Sequence, residues 1–469
     1  MNKPKINLTN VKNIHFIGIG GSGMFPMAKI LKSKGFNISG SDISESETLE
    51  KVRECQIPLV VGHKKENIQN FDLVVYSTAI KQMSKKTGEL NPEIAEAEAK
   101  GIPLVERSEM LGLLASEYEN LIAVAGTHGK TSTTAMITTI LLGAKKDPTA
   151  LIGGMLSKLG GNACTGNSDI MVCEACEYVD SFLQLYPKIS VISNVDADHL
   201  DYFGTFENMK KSFSKFAAQT SGLLIVNGDD ENSRECVKNA SSNTVFYGFN
   251  RNNDYSAQNI IFSKRQFADF DVFKGSEKIG HISLSVPGKH NVYNALAAFI
   301  VCTQVGVSAD EIEYALKNFT GVHRRFEILG EVGGITIVDD YAHHPTEIET
   351  TLSAAMKMNF NKVTAIFQPH NFSRTSMLLD EFAKVLSIAD EMILTEIYAT
   401  REINTYNIYA EDLAEKIKGS KYFKTFEEIC EYVITNARSG DLILTMGAGD
   451  IYKCANMIMK KLDLIYSKK

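Results

Sequence analysis

Positive charge is what this 469-residue chain has too little of: 49 Lys and Arg stand against 56 Asp and Glu, a formal net charge of −7. Such a balance gives no general attraction to polyanions, which argues against nucleic acid or an anionic membrane as a partner. Any phosphate it binds must be held by a local site. A long apolar run is missing too. No stretch approaches the roughly 18 residues of a membrane span, so no membrane anchor is expected. The opening Met1-Asn2-Lys3-Pro4-Lys5 lacks the apolar core of a signal peptide, and the expected location is cytoplasmic. Cysteines are scattered, eight of them at 55, 164, 173, 176, 236, 302, 430 and 454, the pattern of reduced thiols rather than of a disulfide frame. Cys173 and Cys176 have redox or zinc spacing, but no second pair follows. Low-complexity tracts and short repeats are absent as well.

What is present is ordinary globular material, 44% hydrophobic and 22% charged. It is too long for one core, so two to four domains are expected. The chain is organised around one stretch. The apolar run Leu121 to Ala125 leads into Gly126-Thr127-His128-Gly129-Lys130-Thr131-Ser132, after which Met136, Ile137, Ile140 and Leu141 recur at helical spacing. A strand, a glycine turn and a helix leave main-chain N–H groups unpaired at a helix N-terminus, where the dipole also favours negative charge. A polyphosphate can dock there. In that reading Lys130 reaches the β and γ phosphates and the Thr131 hydroxyl sits on Mg²⁺. The loop is shorter than the usual phosphate loop, because Val124 stands where a further glycine would be.

The first third opens on the strand Ile14 to Ile17, then Gly18-Ile19-Gly20-Gly21-Ser22-Gly23, a helix to about Lys34, and a strand Asn37 to Ser39 ending at Gly40-Ser41-Asp42. This is the glycine fingerprint of a dinucleotide fold, with Asp42 where a ribose hydroxyl would lie. The same geometry binds the diphosphate of any nucleotide carrier, so a nicotinamide-dependent dehydrogenase stays open as an alternative. Strand and helix repeats through Leu59 to Gly62 and Phe71 to Ile80 follow. A strand near Leu104 and a connecting helix from Arg107 to Glu119 close the segment.

The middle third runs from the phosphate loop to about Gly321. Its strands Asp169 to Glu174 and Ile189 to Ser193 end in Glu174-Ala175-Cys176-Glu177-Tyr178 and Asn194-Val195-Asp196-Ala197-Asp198-His199. Open parallel sheets carry ligands at the carboxyl ends of their strands, so Lys130, Thr131, Glu174 and His199 are expected on one edge. Glu174 offers the oxygen that hard Mg²⁺ wants, and His199 holds a second metal or orients its water. Residues 250 to 286 read as a β-rich insertion. His290, Asn291 and Asn294 then open an apolar helix. Two amides three apart share a helix face and either read an adenine edge or serve as a cap plus one polar contact.

The last third begins at His323-Arg324-Arg325-Phe326-Glu327. Adjacent guanidiniums point in different directions, so one meets a phosphate at most and the other braces the hinge. The strand Ile335 to Asp339 leads to Asp340-Tyr341-Ala342-His343-His344-Pro345, and Val363 to Phe367 leads to Gln368-Pro369-His370-Asn371-Phe372-Ser373-Arg374. With strands at Met392 to Thr395 and Asp441 to Thr445, this is a third open α/β sheet with polar strand ends.

Taken together, Gly18 to Met24, Gly126 to Thr131, Glu174-Ala175-Cys176-Glu177, His323 to Glu327, Asp339 to Pro345 and Gln368-Pro369-His370 resemble the Mur ligases of peptidoglycan synthesis, in the family's order and over the whole chain. The resemblance implies an α/β protein of three domains. These are a Rossmann-like one for the UDP-sugar at 1–116, a central P-loop-type ATPase sheet at 117–321, and a Rossmann-like open sheet that brings the amino acid at 322–469. It implies ATP-dependent ligation of L-alanine to the lactyl carboxylate of UDP-N-acetylmuramate through an acyl phosphate, an early cytoplasmic step bearing on cell shape and division. Tripeptide addition to the same sugar is the alternative. ATP and one or two Mg²⁺ ions, with Mn²⁺ as a substitute, are the implied cofactors, and a monomer or weak homodimer the implied state.

Carried over by position, Gly126, Thr127, His128, Gly129, Lys130, Thr131, Ser132, His290, Asn291, Asn294, Arg325 and Tyr341 face ATP. Thr131, Glu174 and His199 face metal. Gly18, Gly20, Gly21, Ser22, Gly23, Asp42, Ser77, Thr78, Ala79, His343, His370 and Arg374 face the other substrates, and Lys130, Glu174, His199, His343 and Arg374 are the catalytic set. An imidazole, His343 or His370, is expected to orient alanine or accept its proton near working pH. Two departures stand out. Some members have Asp and Ser where Cys176 and Tyr178 stand, and many have Arg in place of Asn371.

Overall fold

The computed structural model describes residues 6–80, 88–399 and 402–467. The opening segment 1–5, read above for a leader, lies outside them. The chain folds into two compact units. The first comprises Met1–Ser256, Phe273–Glu277 and Tyr293–Ile312, and the second Ala257–Val272, Lys278–Val292 and Glu313–Lys469.

The first unit opens on an all-parallel sheet of five strands, β1 (Asn13–Ile17), β2 (Asn37–Asp42), β3 (Leu59–Val61), β4 (Leu73–Tyr76) and β5 (Leu104–Glu106), in the order β3-β2-β1-β4-β5. Ile14, Phe16, Ile17, Leu73, Val74 and Val75 are all fully buried. Unbroken apolar runs of this kind suit strands covered on both faces. The strand order reverses between β1 and β4, which opens a crevice at their carboxyl ends. The expected strand Asn37 to Ser39 continues to Asp42. Gly40 allows this, because a Cβ there would come within 2.8 Å of Ile19 Cβ. The expected helix from Arg107 stops at Ala115 rather than Glu119.

The same unit carries β6 (Asn120–Ala125), β7 (Thr149–Leu156), β8 (Gly161–Cys164), β9 (Ile170–Glu174), β10 (Ile189–Ile192), β11 (Leu223–Asn227) and β12 (Asn243–Gly248), ordered β12-β11-β10-β6-β9-β7-β8. β6 lies between β10 and β9 and is parallel to both, so three strand ends meet at one edge. Phe182, Phe213 and Phe216 pack beside this sheet, with the rings of Phe182 and Phe216 stacked 4.9 Å apart. β12 pairs with Tyr255 and Ser256, which begin β13 (Tyr255–Phe262). That strand, β14 (Phe267–Lys274) and β15 (Glu277–Pro287) form the β-rich insertion.

The second unit contains a six-stranded sheet ordered β16-β17-β21-β18-β19-β20, built from β16 (Glu327–Val332), β17 (Ile335–Asp340), β18 (Val363–Phe367), β19 (Glu391–Leu394), β20 (Lys421–Tyr422) and β21 (Leu442–Met446). β16 is antiparallel to β17 and the other pairings are parallel. Sequence reading passed over β16, although Gly333-Gly334, both at positive φ, is a hairpin signal. No described helix is long and apolar enough to cross a membrane.

Candidate nucleotide and ligation site

The phosphate loop is shaped by the strand beside it. Gly126 and Gly129 have φ of +135° and +85°, where a side chain is strained. A Cβ at Gly126 would collide with Ser193 Oγ, and one at Gly129 would lie 2.7 Å from Asn294 Oδ1. The residues after β10 clamp the turn. Asn194 Oδ1 accepts from the His128 N–H at 2.8 Å, its Nδ2 donates to His128 O at 2.9 Å, and its carbonyl accepts from the Thr127 N–H at 3.0 Å. Thr127 Oγ1 accepts from the Asp196 N–H at 2.9 Å, and His128 Nε2 lies 3.6 Å from Asp196 Oδ2. The helix Lys130–Gly143 starts directly at Lys130, with Thr131 buried and Ser132 partly exposed. Asn294, from the helix Lys289–Gln304, accepts from Thr133 Oγ1 at 3.2 Å.

Lys130 does not extend into solvent. Its Nζ donates to Gly126 O at 2.5 Å, Thr127 O at 3.1 Å and Glu177 Oε1 at 3.0 Å. Burial pulls the amine down, but the charge of Glu177, with Cys176 and Glu174 behind it, outweighs burial and holds it above the ordinary lysine value. The ammonium is therefore favoured in its charged form beside Glu177. Glu177, quoted in the motif but given no role from sequence, is the partner that fixes it.

At the end of β9, Glu174 Oε1 accepts from the N–H of Gly153, and a Cβ on Gly153 would fall 2.5 Å from Oε2. Among the described residues no group of three or more His, Cys, Asp or Glu is arranged to hold a metal. A cation beside Glu174 and the Thr131 hydroxyl would complete its shell with phosphate oxygens and water, which is how Mg²⁺ binds nucleotides. The glycine cradle, the fixed ammonium and these oxygen donors fit a magnesium nucleotide. His199 caps a short helix at φ +54°, and its ring lies 4.6 Å from that of Tyr178. Its Nε2 is 3.7 Å from Asp198 Oδ2.

In the first sheet, Gly18 (φ +79°) and Ile19 donate their N–H groups to Ser41 O at 2.8 and 3.0 Å. Asp42 Oδ2 accepts from the Gly20 N–H at 2.8 Å, so the carboxylate expected near a ribose also holds the loop. Ser77 Oγ would be 3.3 Å from a Cβ at Gly18, which brings the ends of β1 and β4 together. Gly21 donates to Gly18 O at 3.2 Å, and Ser22 O accepts from Asn162 Nδ2 at 3.1 Å. Thr78 donates to Glu106 at 2.6 Å, and Ala79 follows it in the same turn.

In the second unit the two arginines differ in what they touch. Arg324 Nε donates to Asp339 Oδ2 at 2.8 Å, Nη1 to Gly449 O at 2.9 Å and Nη2 to Gly447 O at 2.6 Å, so its fork is spent on the fold. Arg325 lies 3.9 Å from Glu347 and over the Tyr341 ring. Asn291 Nδ2 donates to Pro287 O at 2.8 Å, a local cap. His290 is pushed down to about 4 by burial and then by the charge of Arg325.

Tyr341, His343 and His370 form a ring series, with centroids 5.4 Å apart for the first pair and 5.8 Å for the second. His343 Nδ1 faces Tyr341 O at 3.0 Å and Glu347 Oε2 at 3.2 Å. Two acceptors there put the proton on Nδ1 and leave Nε2 to accept. His370 is pushed down to about 4 by burial and then by the neighbouring His343 and Arg374, and its buried Nδ1 has no hydrogen-bond partner among the described residues. That corrects one expectation: His370 is neutral near pH 7 and does not titrate there. Asn371 caps the helix Phe372–Met377 by accepting from the Arg374 N–H at 3.0 Å.

These features define a multidomain α/β protein with a strand–turn–helix anion cradle. Three family models match in chain order: "Mur ligase family, catalytic domain" over 13–119, "Mur ligase middle domain" over 124–302, and "Mur ligase, glutamate ligase domain" over 324–449. The chain is 44% identical over 461 residues to the UDP-N-acetylmuramate–L-alanine ligase of Acetivibrio thermocellus, covering 97% of each chain. It is 46% identical over 453 residues to the protein of that name in Caldicellulosiruptor bescii, covering 95% of this chain and 98% of the other. Among solved structures, a UDP-N-acetylmuramate-alanine ligase from Thermotoga maritima superposes with TM-score 0.81 at 30% identity, over 98% of this chain and 100% of that one. A murein peptide ligase from Psychrobacter arcticus gives 0.72 at 25% identity, over 96% and 98%. The chain belongs to the Mur ligase family.

Proposed function

We propose that this protein joins L-alanine to the lactyl carboxylate of UDP-N-acetylmuramate, consuming ATP with Mg²⁺, in the cytoplasm and as an early step of peptidoglycan synthesis. The observation that carries this reading is the identity of 44% over 97% of the chain with a ligase of that name. Alanine is preferred to a tripeptide because the alanine-ligase structure is nearer to this chain than the peptide-ligase structure, at 30% against 25% identity.

A carboxylate does not react with an amine, because its leaving group would be oxide. Bound at the loop, ATP supplies the phosphoryl group that turns it into an acyl phosphate and leaves as ADP, and the amine then displaces phosphate; a Mg²⁺ ion held there would spread the charge of the transfer. Gly126 to Ser132 hold the phosphates, and Lys130 keeps a fixed positive charge beside them. Thr131 and Glu174 would hold one metal and His199 a second. Arg325, Tyr341, His290, Asn291 and Asn294 belong to the nucleotide subsite. Gly18, Gly20, Gly21, Ser22, Gly23, Asp42, Ser77, Thr78 and Ala79 form the sugar-nucleotide subsite. His343 Nε2 accepts the proton from the attacking amine, His370 orients that amine, and Arg374 steadies the negative charge that develops. Boundaries near 116/117 and 321/322 separate the sugar-nucleotide, ATP and amino-acid domains, and the working state is a monomer or weak homodimer.

The test is phosphate release with ATP, Mg²⁺ and UDP-N-acetylmuramate across a panel of free amino acids and the tripeptide. Release dependent on both the sugar nucleotide and alanine is expected. Faster turnover with the tripeptide would overturn the alanine assignment, and release without either substrate would overturn the ligase.

A further inference from the structure

Arg107 is half-buried, and it makes no hydrogen bond and no ion pair with any described residue. It opens the helix Arg107–Ala115 directly after β5, at the carboxyl end of the strand that neighbours β4. Its side chain runs along the glycine loop: a Cβ at Gly23 would sit 3.0 Å from Arg107 Nη1 and 3.2 Å from its Cδ. Burial pushes the Cys176 thiol up, and Arg107 is among the charges that pull it back. Nearby carboxylates are engaged, since Glu106 accepts from Thr78 at 2.6 Å and Glu109 from the Glu106 N–H at 2.8 Å. A guanidinium carries five donors in a planar fork. Taking it partly out of water with none of them used is costly unless a ligand completes it.

We infer that Arg107 receives the diphosphate of the sugar nucleotide, gripping it against the loop Gly18 to Gly23. The inference rests on the reading of that loop as the sugar-nucleotide subsite. A diphosphate offers paired oxygens that match the fork bidentately, and the fork's place beside Gly23 sets it at the helix end of the glycine loop, past the N–H groups of Gly18 to Gly21 that the fold already uses.

The experiment uses the full chain and titrates UDP and uridine calorimetrically into the wild type, Arg107→Ala and Arg107→Lys, with KM for UDP-N-acetylmuramate and for ATP measured alongside. Charged hydrogen bonds of this kind correspond to roughly ten- to hundredfold in affinity. Arg107→Ala should therefore weaken UDP by about that factor and leave uridine unchanged. KM for the sugar nucleotide should rise in parallel, with KM for ATP and kcat within about twofold, and Arg107→Lys should recover part of the loss. Unchanged UDP affinity in both variants overturns the inference, as does an equal loss for UDP and uridine, which is the mark of a distorted fold. Weaker binding of the whole sugar nucleotide with UDP unaffected would also overturn it, by placing the fork on the sugar's carboxylate. Because the titrations need no turnover, they read Arg107 even if the wild type fails to release phosphate, so loss of the ligase reading and loss of this one are separate results.

Discussion

Lys130 Nζ lies 2.9 Å from Glu177 Oε2, with the carboxylate 1% exposed and the lysine side chain 15% exposed. The pair joins residues 47 apart in sequence and leaves the ammonium among main-chain carbonyls of its own loop. Removing one member of a buried ion pair costs about 3–5 kcal/mol, because the other charge is stranded. Lys130→Ala should therefore lose both phosphoryl transfer and some stability, while calorimetry should find the sugar nucleotide still bound. Glu177→Ala should lower the urea midpoint by a similar amount and raise KM for ATP. Wild-type turnover in Lys130→Ala would remove the phosphate-loop assignment.

Gly153→Ala addresses the carboxylate of Glu174. A methyl group at 153 would fall 2.5 Å from Glu174 Oε2 and 2.6 Å from Oε1, so the carboxylate must turn away. The expected outcome is a higher Mg²⁺ requirement for activity, and weaker Mn²⁺ binding followed by electron paramagnetic resonance, at nearly unchanged KM for UDP-N-acetylmuramate. An unaltered metal titration would count against Glu174 as the ligand.

The two adjacent arginines, Arg324 and Arg325, should separate stability from nucleotide binding. Asp339 is 1% exposed beneath Arg324, so Arg324→Ala should cost about 3 kcal/mol in chemical denaturation. Arg325 stands 3.9 Å from Glu347 and acts on Asp340 through charge alone, so Arg325→Ala should cost less stability than Arg324→Ala and act mainly on KM for ATP. If both variants moved the melting curve equally, this division of labour would be wrong.

His343→Asn should lower kcat by roughly 10²- to 10⁴-fold, the range for loss of a general base, with ATP affinity retained. His370→Asn should act mainly on KM for alanine, because an imidazole held at about 4 is a weak base at neutral pH. Steady-state kinetics with alanine as the varied substrate distinguishes the two.

Stability should fall with acid in two windows. His290 and His370 are both pushed down to about 4 from an ordinary 6.5, by burial and then by neighbouring cations. The unfolded imidazoles take up protons first, so stability declines as the pH falls from about 6.5 toward 4. Glu93 supplies the second window. Burial raises its carboxyl, but His15, His63, Ser41 and Asn67 outweigh that and hold it at about 2, below the ordinary 4.5. Its stabilisation is complete above about pH 4.5 and is lost as the pH falls toward 2. Urea midpoints across this range should show His370→Asn flattening the upper window and Glu93→Gln the lower.

How much of this was legible depends on the range of the signal. The phosphate loop, the glycine fingerprint and the polar ends of β9, β10, β17 and β18 are local patterns, in which a strand, a turn and a helix are specified within about twenty residues. Placement errors were small and had local causes. The strand to Asp42 ran on because Gly40 admits Ile19, and the helix Lys130–Gly143 began at the loop itself. β16 pairs antiparallel with β17 across Gly333-Gly334, a turn whose two glycines at positive φ carry the hairpin signal.

By itself the sequence determined the class of fold and the order of its motifs, since these follow from short-range periodicity and turn chemistry. Only the tertiary structure decided which partner each side chain would have. Glu177 was chosen to hold Lys130, Arg324 rather than Arg325 was committed to the fold, His370 was made neutral by burial, and Arg107 was set against Gly23 with its donors unspent. Each of those outcomes turns on side chains brought together from distant strands. Pairing and desolvation are properties of packing, and no spacing along the chain encodes them.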